Sequence, residues 1–282
     1  MLTRTAAALL VLLALPSTAG AAPTACPEHF KGGSAPDLTD PKMTAKTREL
    51  CFRAFAVLHS GVTRTPLWAA ERMTRASLKA AVDTPRKGTF HEEERLPADE
   101  RSTLADFARS GYDRGHLFPA ADAPDDASQE ESFSLANMVP QVSEQNCGVW
   151  AGIEGAVRGL ARQRGELYVV IGPLFQGTTL QRLKGWVFVP TALFKAVYDP
   201  KRNEAGAYVS SNAPGDAWQA ISISQLRDMS GVDPFPGVSD MVKSTAMALP
   251  APRLPGKRRP GGEGPASEAD EGWTGALKKL LR

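Results

Sequence analysis

The stretch from Ser143 to Tyr198 constrains the fold most, because a one-faced helix there is followed after a single glycine by two long apolar strand signals. Trp150, Ile153, Val157 and Leu160 recur at spacings of 3, 4 and 3 within 143–165. Those spacings put them on one face of a helix, and Gly165 is a residue type that stops helices. Leu167–Phe175 (LYVVIGPLF) and Trp186–Tyr198 (WVFVPTALFKAVY) follow, with Gly177-Thr178-Thr179 in the connection. Upstream, Cys51–His59 (CFRAFAVLH), stopped by Ser60-Gly61, and Thr65–Arg72 (TPLWAAER) predict a hairpin. Ala207–Ser211 (AYVSS) adds a strand, and 73–110 read as short charged elements, including Glu92-Glu93-Glu94 and a helical 98–110 (ADERSTLADFARS). No internal repeat is present. The pattern predicts an α+β chain with a mostly antiparallel sheet, few helices and one domain.

The two ends are of another kind. A short basic start, the apolar run Ala6–Leu15 and the small residues Ala19-Gly20-Ala21 predict a signal peptide over 1–21, cut before Ala22. The run is too short for a membrane span, which needs roughly 20 residues. Cys26 follows Pro-Thr-Ala, which lacks the aliphatic residue of a lipobox. A secreted or periplasmic chain with no membrane partner is expected. Residues 22–50, rich in Pro, Gly and Thr, read as an extended arm, 51–249 as the folded domain, and 250–282 as a low-complexity tail. Within that tail, Trp273–Leu281 could form a short helix. About 260 residues remain after cleavage, enough for one sizeable core. The formal net charge of +2 excludes a polycation, so any affinity for nucleic acid must come from a local patch.

Three cysteines occur, Cys26, Cys51 and Cys147. In an oxidising compartment Cys26 and Cys51 are natural partners, since their bridge ties the new N-terminus to the first core segment. The chain-entropy model gives such a loop about 3 kcal/mol. Cys147 is then left over, either buried or a free thiol beside Asn146.

Asp113-Arg114-Gly115-His116 is the focal point for chemistry. After it come Asn137-Met138-Val139-Pro140-Gln141, then Asn146, Trp150 and Glu154. On these residues, and on Gly172-Pro173-Leu174-Phe175 with the paired strands after it, the chain closely resembles the non-specific DNA/RNA endonucleases of the ββα-metal fold over residues 50–245. The resemblance implies hydrolysis of phosphodiesters in DNA and RNA around one Mg²⁺, with Mn²⁺ able to substitute. It implies that His116 is the general base, that Asn146 gives its amide oxygen to the metal, and that Glu154 acts through waters around it. Arg114 is implied to contact the scissile phosphate. A second phosphate-binding arginine of the family points to Arg86, four residues before Phe90, with Lys87 as the alternative. Asn137 and Gln141 are open between direct substrate contact and bracing of the base and the metal helix, and Asp113 either holds the loop or orients a neighbour.

Chemistry agrees with those roles. A neutral imidazole with an ordinary pKa near 6.5 can take a proton from water at physiological pH. Of the other histidines, His29 lies in the arm, His91 in a charged loop, and His59 ends an apolar strand where a structural role is expected. Magnesium prefers oxygen ligands and keeps most of its waters. Eight residues of ideal helix put Asn146 and Glu154 roughly 80° apart and about 12 Å along the axis, a gap that waters can bridge. Taken without the Asp113–His116 segment, Asn146 reads as a helix N-cap and Glu154 as a solvated charge. Arginine's planar fork suits two phosphate oxygens. Walker, G-x-G-x-x-G, G-x-S-x-G, H-E-x-x-H and C-x-x-C patterns are absent. Two other readings exist: a cysteine hydrolase with Cys147 as nucleophile and His116 as base, and an inactive nucleic-acid binder on the same scaffold. No histidine follows Cys147, and His116, Asn146 and Glu154 are all present, which weighs against both.

Overall fold

The computed structural model describes residues 24–254, so the expected signal peptide, most of the expected tail and the terminal helix lie outside the described residues. The elements that position the site are β1 (Thr47–Cys51), β2 (Ala56–Ser60), β3 (Thr65–Thr74), α1 (Arg75–Val82), β4 (Asp113–His116), β5 (Met138–Gln141), α2 (Ala151–Arg164), β6 (Glu166–Leu174), β7 (Ala192–Asp199), β8 (Glu204–Ser211), β9 (Trp218–Ile221) and α3 (Ile223–Ser230). Seven strands form one antiparallel sheet in the order β9-β8-β7-β6-β3-β2-β1. It consists of two meanders, β1-β2-β3 and β6-β7-β8-β9, joined where β3 pairs with β6 from Ala69↔Ile171 to Thr74↔Glu166. A separate two-stranded ribbon, β4–β5, lies outside the sheet.

Side chains alternate across a strand, and here both faces are covered. Trp68 and Ala70 of β3, Val170 of β6 and Phe194 of β7 pack on one side with Phe30, Leu226 and Phe235. Ala69 and Met73, Val169 and Ile171, and Leu193 and Val197 pack on the other with Trp150, Ile153, Val157 and Leu160. The helical stripe read from the sequence therefore seats on the sheet as its period demands. Strands buried on both faces read as nearly unbroken apolar runs, which is why β3, β6 and β7 stood out.

Four expectations of detail change. Cys51–His59 is not one strand: a turn at 52–55 separates β1 from β2, which pair through Cys51↔Ala56. All of β1 but Cys51 lies within the segment expected to be an extended arm; it forms the edge of the main sheet, its period masked by Arg48 and Glu49. Trp186–Tyr198 also divides, into a short strand Val187–Phe188 and β7, because Pro190 has no amide to continue a ladder. Of the helical 98–110, only Leu104–Phe107 is helix, begun by a Thr103–Asp106 capping box.

The Cys26–Cys51 disulfide is formed, spanning 25 residues and pinning the N-terminal segment to β1. Cys147 is free and exposed. Among the described residues no helix is long and apolar enough to cross a membrane.

Candidate active site

His116 is the last residue of β4, paired with Met138 of β5. The chain after it is nailed into the core: Leu117 and Phe118 are buried, and Phe118 stacks on Phe55 at 4.3 Å. Asn137 clamps the same point, its Oδ1 accepting from the Phe118 amide at 2.9 Å and its Nδ2 donating to the Phe118 and Ser132 carbonyls, each at 2.9 Å. Gly115 is demanded by Gln141, whose side chain occupies the place a Cβ would take. Gln141 is itself fully buried and donates to Gln145 Oε1 at 2.6 Å, tying β5 to the turn that leads into Asn146.

Two aromatic rings wall the imidazole. Phe133 meets it edge-on at 4.9 Å and Phe90 lies 5.7 Å away. Each ring also carries an arginine: Arg114 sits over Phe90 at 4.4 Å and Arg86 over Phe133 at 5.3 Å. Such cation–π seats hold a guanidinium near an apolar wall without neutralising it. The half-buried imidazole has a buried Nε2 with no hydrogen-bond partner. Burial, and secondarily Arg86, push its pKa down to about 3. His116 is therefore neutral across the physiological range and has a free ring nitrogen, which suits a proton acceptor.

Asn146 stands across from this ribbon. Its Nδ2 donates to Asp113 Oδ2 at 3.0 Å. A carboxylate only accepts, so this contact fixes which way the amide points and leaves Oδ1 free. The expected uninterrupted helix is broken here: a short turn Ser143–Gln145 runs into a wide π-type turn, Asn146–Trp150, before α2 begins. Gly148 departs from helical backbone inside it, with φ −99° and ψ −107°. The roughly 80° relation of Asn146 to Glu154 belonged to an ideal helix and does not survive this turn. Wide turns of this kind are frequent at functional sites because they re-aim one side chain.

Glu154, in the first turn of α2, is largely shielded, and its pKa is raised by burial while Lys195 and Arg158 oppose the rise. Arg158 lies one turn on, 3.9 Å from Glu154 Oε2, and pairs with buried Asp122 at 3.0 Å. Asn146 Oδ1 and the Glu154 carboxylate are each oxygen donors of the type a hard divalent cation takes.

Asp113 and His116 thus stand at the two ends of β4, with Arg114 between them and Asn146 held at the Asp113 end. Between Arg86 and Lys87, Arg86 is the residue whose charge is felt at both His116 and Glu154, whereas Lys87 Nζ lies 3.7 Å from exposed Asp126. For Asn137 and Gln141, burial and internal hydrogen bonds favour bracing over direct substrate contact. The other histidines are elsewhere engaged: His59 pairs with the Glu100 carbonyl at 2.9 Å, His29 with the Phe52 carbonyl at 3.0 Å, and His91 with the Thr89 carbonyl at 3.0 Å. The sequence reading missed Phe133 as a wall and Arg158 as the partner of Glu154. An i,i+4 Glu-Arg pair on one helix was the available signal for the latter.

A family model of DNA/RNA non-specific endonucleases matches residues 35–241. Among similar proteins, Nuclease C1 of Cunninghamella echinulata var. echinulata is 35% identical over 176 residues, 58% of this chain and 70% of that one. Mitochondrial endonuclease G of Bos taurus is 31% identical over 217 residues, 72% of each chain. Among solved structures, that of the EndoG/EndoGI complex aligns with a TM-score of 0.61 at 24% identity, covering 67% of this chain and 84% of that chain. At that identity the likeness speaks for the fold, a ββα-metal arrangement in which β4, β5 and α2 supply the ββα unit. Matched over most of its length by the family model, the chain belongs to the DNA/RNA non-specific endonuclease family.

Proposed function

We propose that this endonuclease hydrolyses phosphodiester bonds of DNA and RNA with His116 as general base and a divalent cation, Mg²⁺ or in its place Mn²⁺, at Asn146. One observation carries the reading: a neutral imidazole with an unpartnered buried nitrogen sits on the same short strand as the carboxylate that orients Asn146. His116 takes a proton from water as its oxygen bonds to phosphorus and the bond to the 3′ oxygen breaks. Arg114 and Arg86, seated on Phe90 and Phe133, meet the phosphate and favour the charge it gains in the transition state. Asn146 Oδ1 would hold the cation directly, and Glu154 would hold it through water. A cation bound there would offset negative charge developing at the phosphate. Contacts to phosphate carry no base information, which agrees with cleavage lacking sequence preference. Export to the periplasm or medium is supported by the signal-like N-terminus and by the Cys26–Cys51 bridge.

Incubation of the purified protein with supercoiled plasmid and with RNA, each with Mg²⁺ and with EDTA, is the direct test. Both substrates should be cut only with the metal. Digestion that persists in EDTA removes the metal from the mechanism. Binding without cutting in Mg²⁺ makes the chain a nucleic-acid binder instead. Asn146→Ala should lose activity and regain part of it at raised Mg²⁺, whereas His116→Ala should not respond to added metal.

A further inference from the structure

Between β6 and β7 the chain turns back in a small hairpin, Arg182–Leu183 paired with Val187–Phe188. Its inner side is apolar: Leu183 and Val187 pack with Phe107 and Met138, and Phe90 and Tyr112 lie against that cluster. These contacts make the hairpin a direct neighbour of β4. Met138 is the partner of His116 across the ribbon, and Phe90 is one of the two rings beside its imidazole. Tyr112, which precedes Asp113, donates from its hydroxyl to Gln181 Oε1 at 2.6 Å.

The outer side of the hairpin carries Trp186, which is 45% exposed. A single apolar side chain at a surface needs no explanation, but this ring is held still. Its Nε1 donates to Asp106 Oδ1 at 2.8 Å, and Asp106 is buried with Oδ2 accepting from the Thr103 amide at 2.8 Å. The Arg64 guanidinium lies over the ring, 5.2 Å from its centroid. Arg64 belongs to the turn before β3, which is tied to the hairpin where the Phe188 amide donates to the Thr63 carbonyl at 3.0 Å. A second stack stands alongside, Arg182 over Phe188 at 4.2 Å. Arg64, Arg182 and exposed Lys184 form no ion pair among the described residues. With a net charge of only +2, the chain can attract a polyanion only through a local patch, and these three cations around a fixed aromatic ring supply one.

We infer that this hairpin binds a single-stranded stretch of nucleic acid beside the scissile phosphate, with an unpaired base stacked on Trp186 and phosphates meeting Arg64, Arg182 and Lys184. The inference rests on the nuclease reading above and adds strand selectivity to it. A base inside a duplex presents only its edges to a protein, whereas an unpaired base offers a face. Every base has such a face, so the stack binds without reading sequence.

The test is fluorescence anisotropy of the full chain in EDTA, where no metal supports cleavage. The probe is a fluorescein-labelled strand of about 12 nucleotides of mixed sequence, used alone and annealed to its complement. Trp186→Ala should weaken binding of the strand about tenfold, as loss of one stacking aromatic does, and binding of the duplex by less than about twofold. Trp186→Phe, which keeps a ring, should retain most of the affinity. Arg182→Ala/Lys184→Ala should reduce the dependence of log Kd on log[salt] by about 1.4 for the strand, two phosphate contacts at about 0.7 each. Cleavage of linear duplex DNA in Mg²⁺ should stay close to wild type in Trp186→Ala, which also reports that the variant is folded. Unchanged strand affinity in a Trp186→Ala protein that still cuts duplex overturns the inference and leaves the nuclease reading standing. Equal losses on strand and duplex overturn it too, since the hairpin would then be a contact for nucleic acid of any form. If Trp186→Ala does not fold, an unchanged salt dependence in Arg182→Ala/Lys184→Ala overturns it. A wild type that neither binds the strand nor cuts duplex overturns the nuclease reading and this one with it.

Discussion

The two faces of the central sheet are built to different rules. On the face covered by the N-terminal segment and α3, Trp68, Phe194, Phe235 and Leu226 form an apolar layer, with Trp68 meeting Phe30 edge-on at 5.7 Å. On the α2 face the same strands contribute Glu71 and Lys195, and the ribbon above holds His116 with an unpartnered nitrogen. Both faces gain from buried apolar side chains, at about 25 cal/mol per Å² of apolar area removed from water. The α2 face also keeps Glu71 and Lys195 out of water with incomplete partners, an arrangement that costs stability. The difference adds the proposed chemistry to one side of the sheet while both sides bury an apolar core, even where they share a single strand such as β3.

The strongest way to break this comparison is His116→Ala. Loss of a general base costs typically 10²–10⁴-fold in rate, and the upper end is expected here, with the melting temperature almost unmoved. Plasmid cleavage and a thermal melt on one sample check both halves; substantial unfolding would mean that the imidazole is structural. Trp68→Ala, on the opposite face, should do the reverse. A buried Trp lost from a core costs roughly 3–5 kcal/mol, read as a shifted urea midpoint, while turnover per folded molecule stays near wild type. A turnover defect of the size seen for His116→Ala would erase the division between the faces.

Reducing the Cys26–Cys51 bridge comes next, with about 3 kcal/mol expected from the chain-entropy model and no change in kcat for molecules that remain folded. Non-reducing mass spectrometry should find Cys147 as the free thiol. Asp113→Asn is smaller again. It removes the acceptor-only partner of Asn146, so the Mg²⁺ concentration for half-maximal activity should rise about tenfold with little effect on melting. An unchanged metal requirement would show that the amide is oriented by something else.

The mildest effect is a displacement of the pH profile. An unperturbed imidazole places the acid limb near pH 6–7, but burial and Arg86 hold His116 down to about 3. The folded chain refuses a proton that the unfolded chain accepts below pH 6.5. The His116 contribution to stability is therefore present above that pH and declines as pH falls towards 3. The acid limb of kcat/KM should accordingly lie below about pH 5. A limb at pH 6–7 would mean that Nε2 is solvated in the free enzyme.

Periodicity and chemical type were enough to read several features from the chain alone. The stripe Trp150–Leu160 had to be a helix lying on a sheet, and the runs in β3 and β6 had to be strands; Asp113–His116 with Asn146 and Glu154 are the proposed reacting centre on the family resemblance. The Cys26–Cys51 pairing followed from compartment and order in the chain. Tertiary structure decided what depends on groups distant in sequence. It made Phe133 a wall 4.9 Å from His116, and it let Asp113 turn an amide 33 residues away. It opened a wide turn at Asn146–Trp150 where helical spacing promised none. It also gathered Glu71, Asp122, Glu154, Arg158 and Lys195 into one buried charge cluster. A local pattern reports which face a residue shows, because period and burial are properties of one element. Which charge it meets there, and how far its pKa moves, is set by the elements packed against it and by the water they exclude.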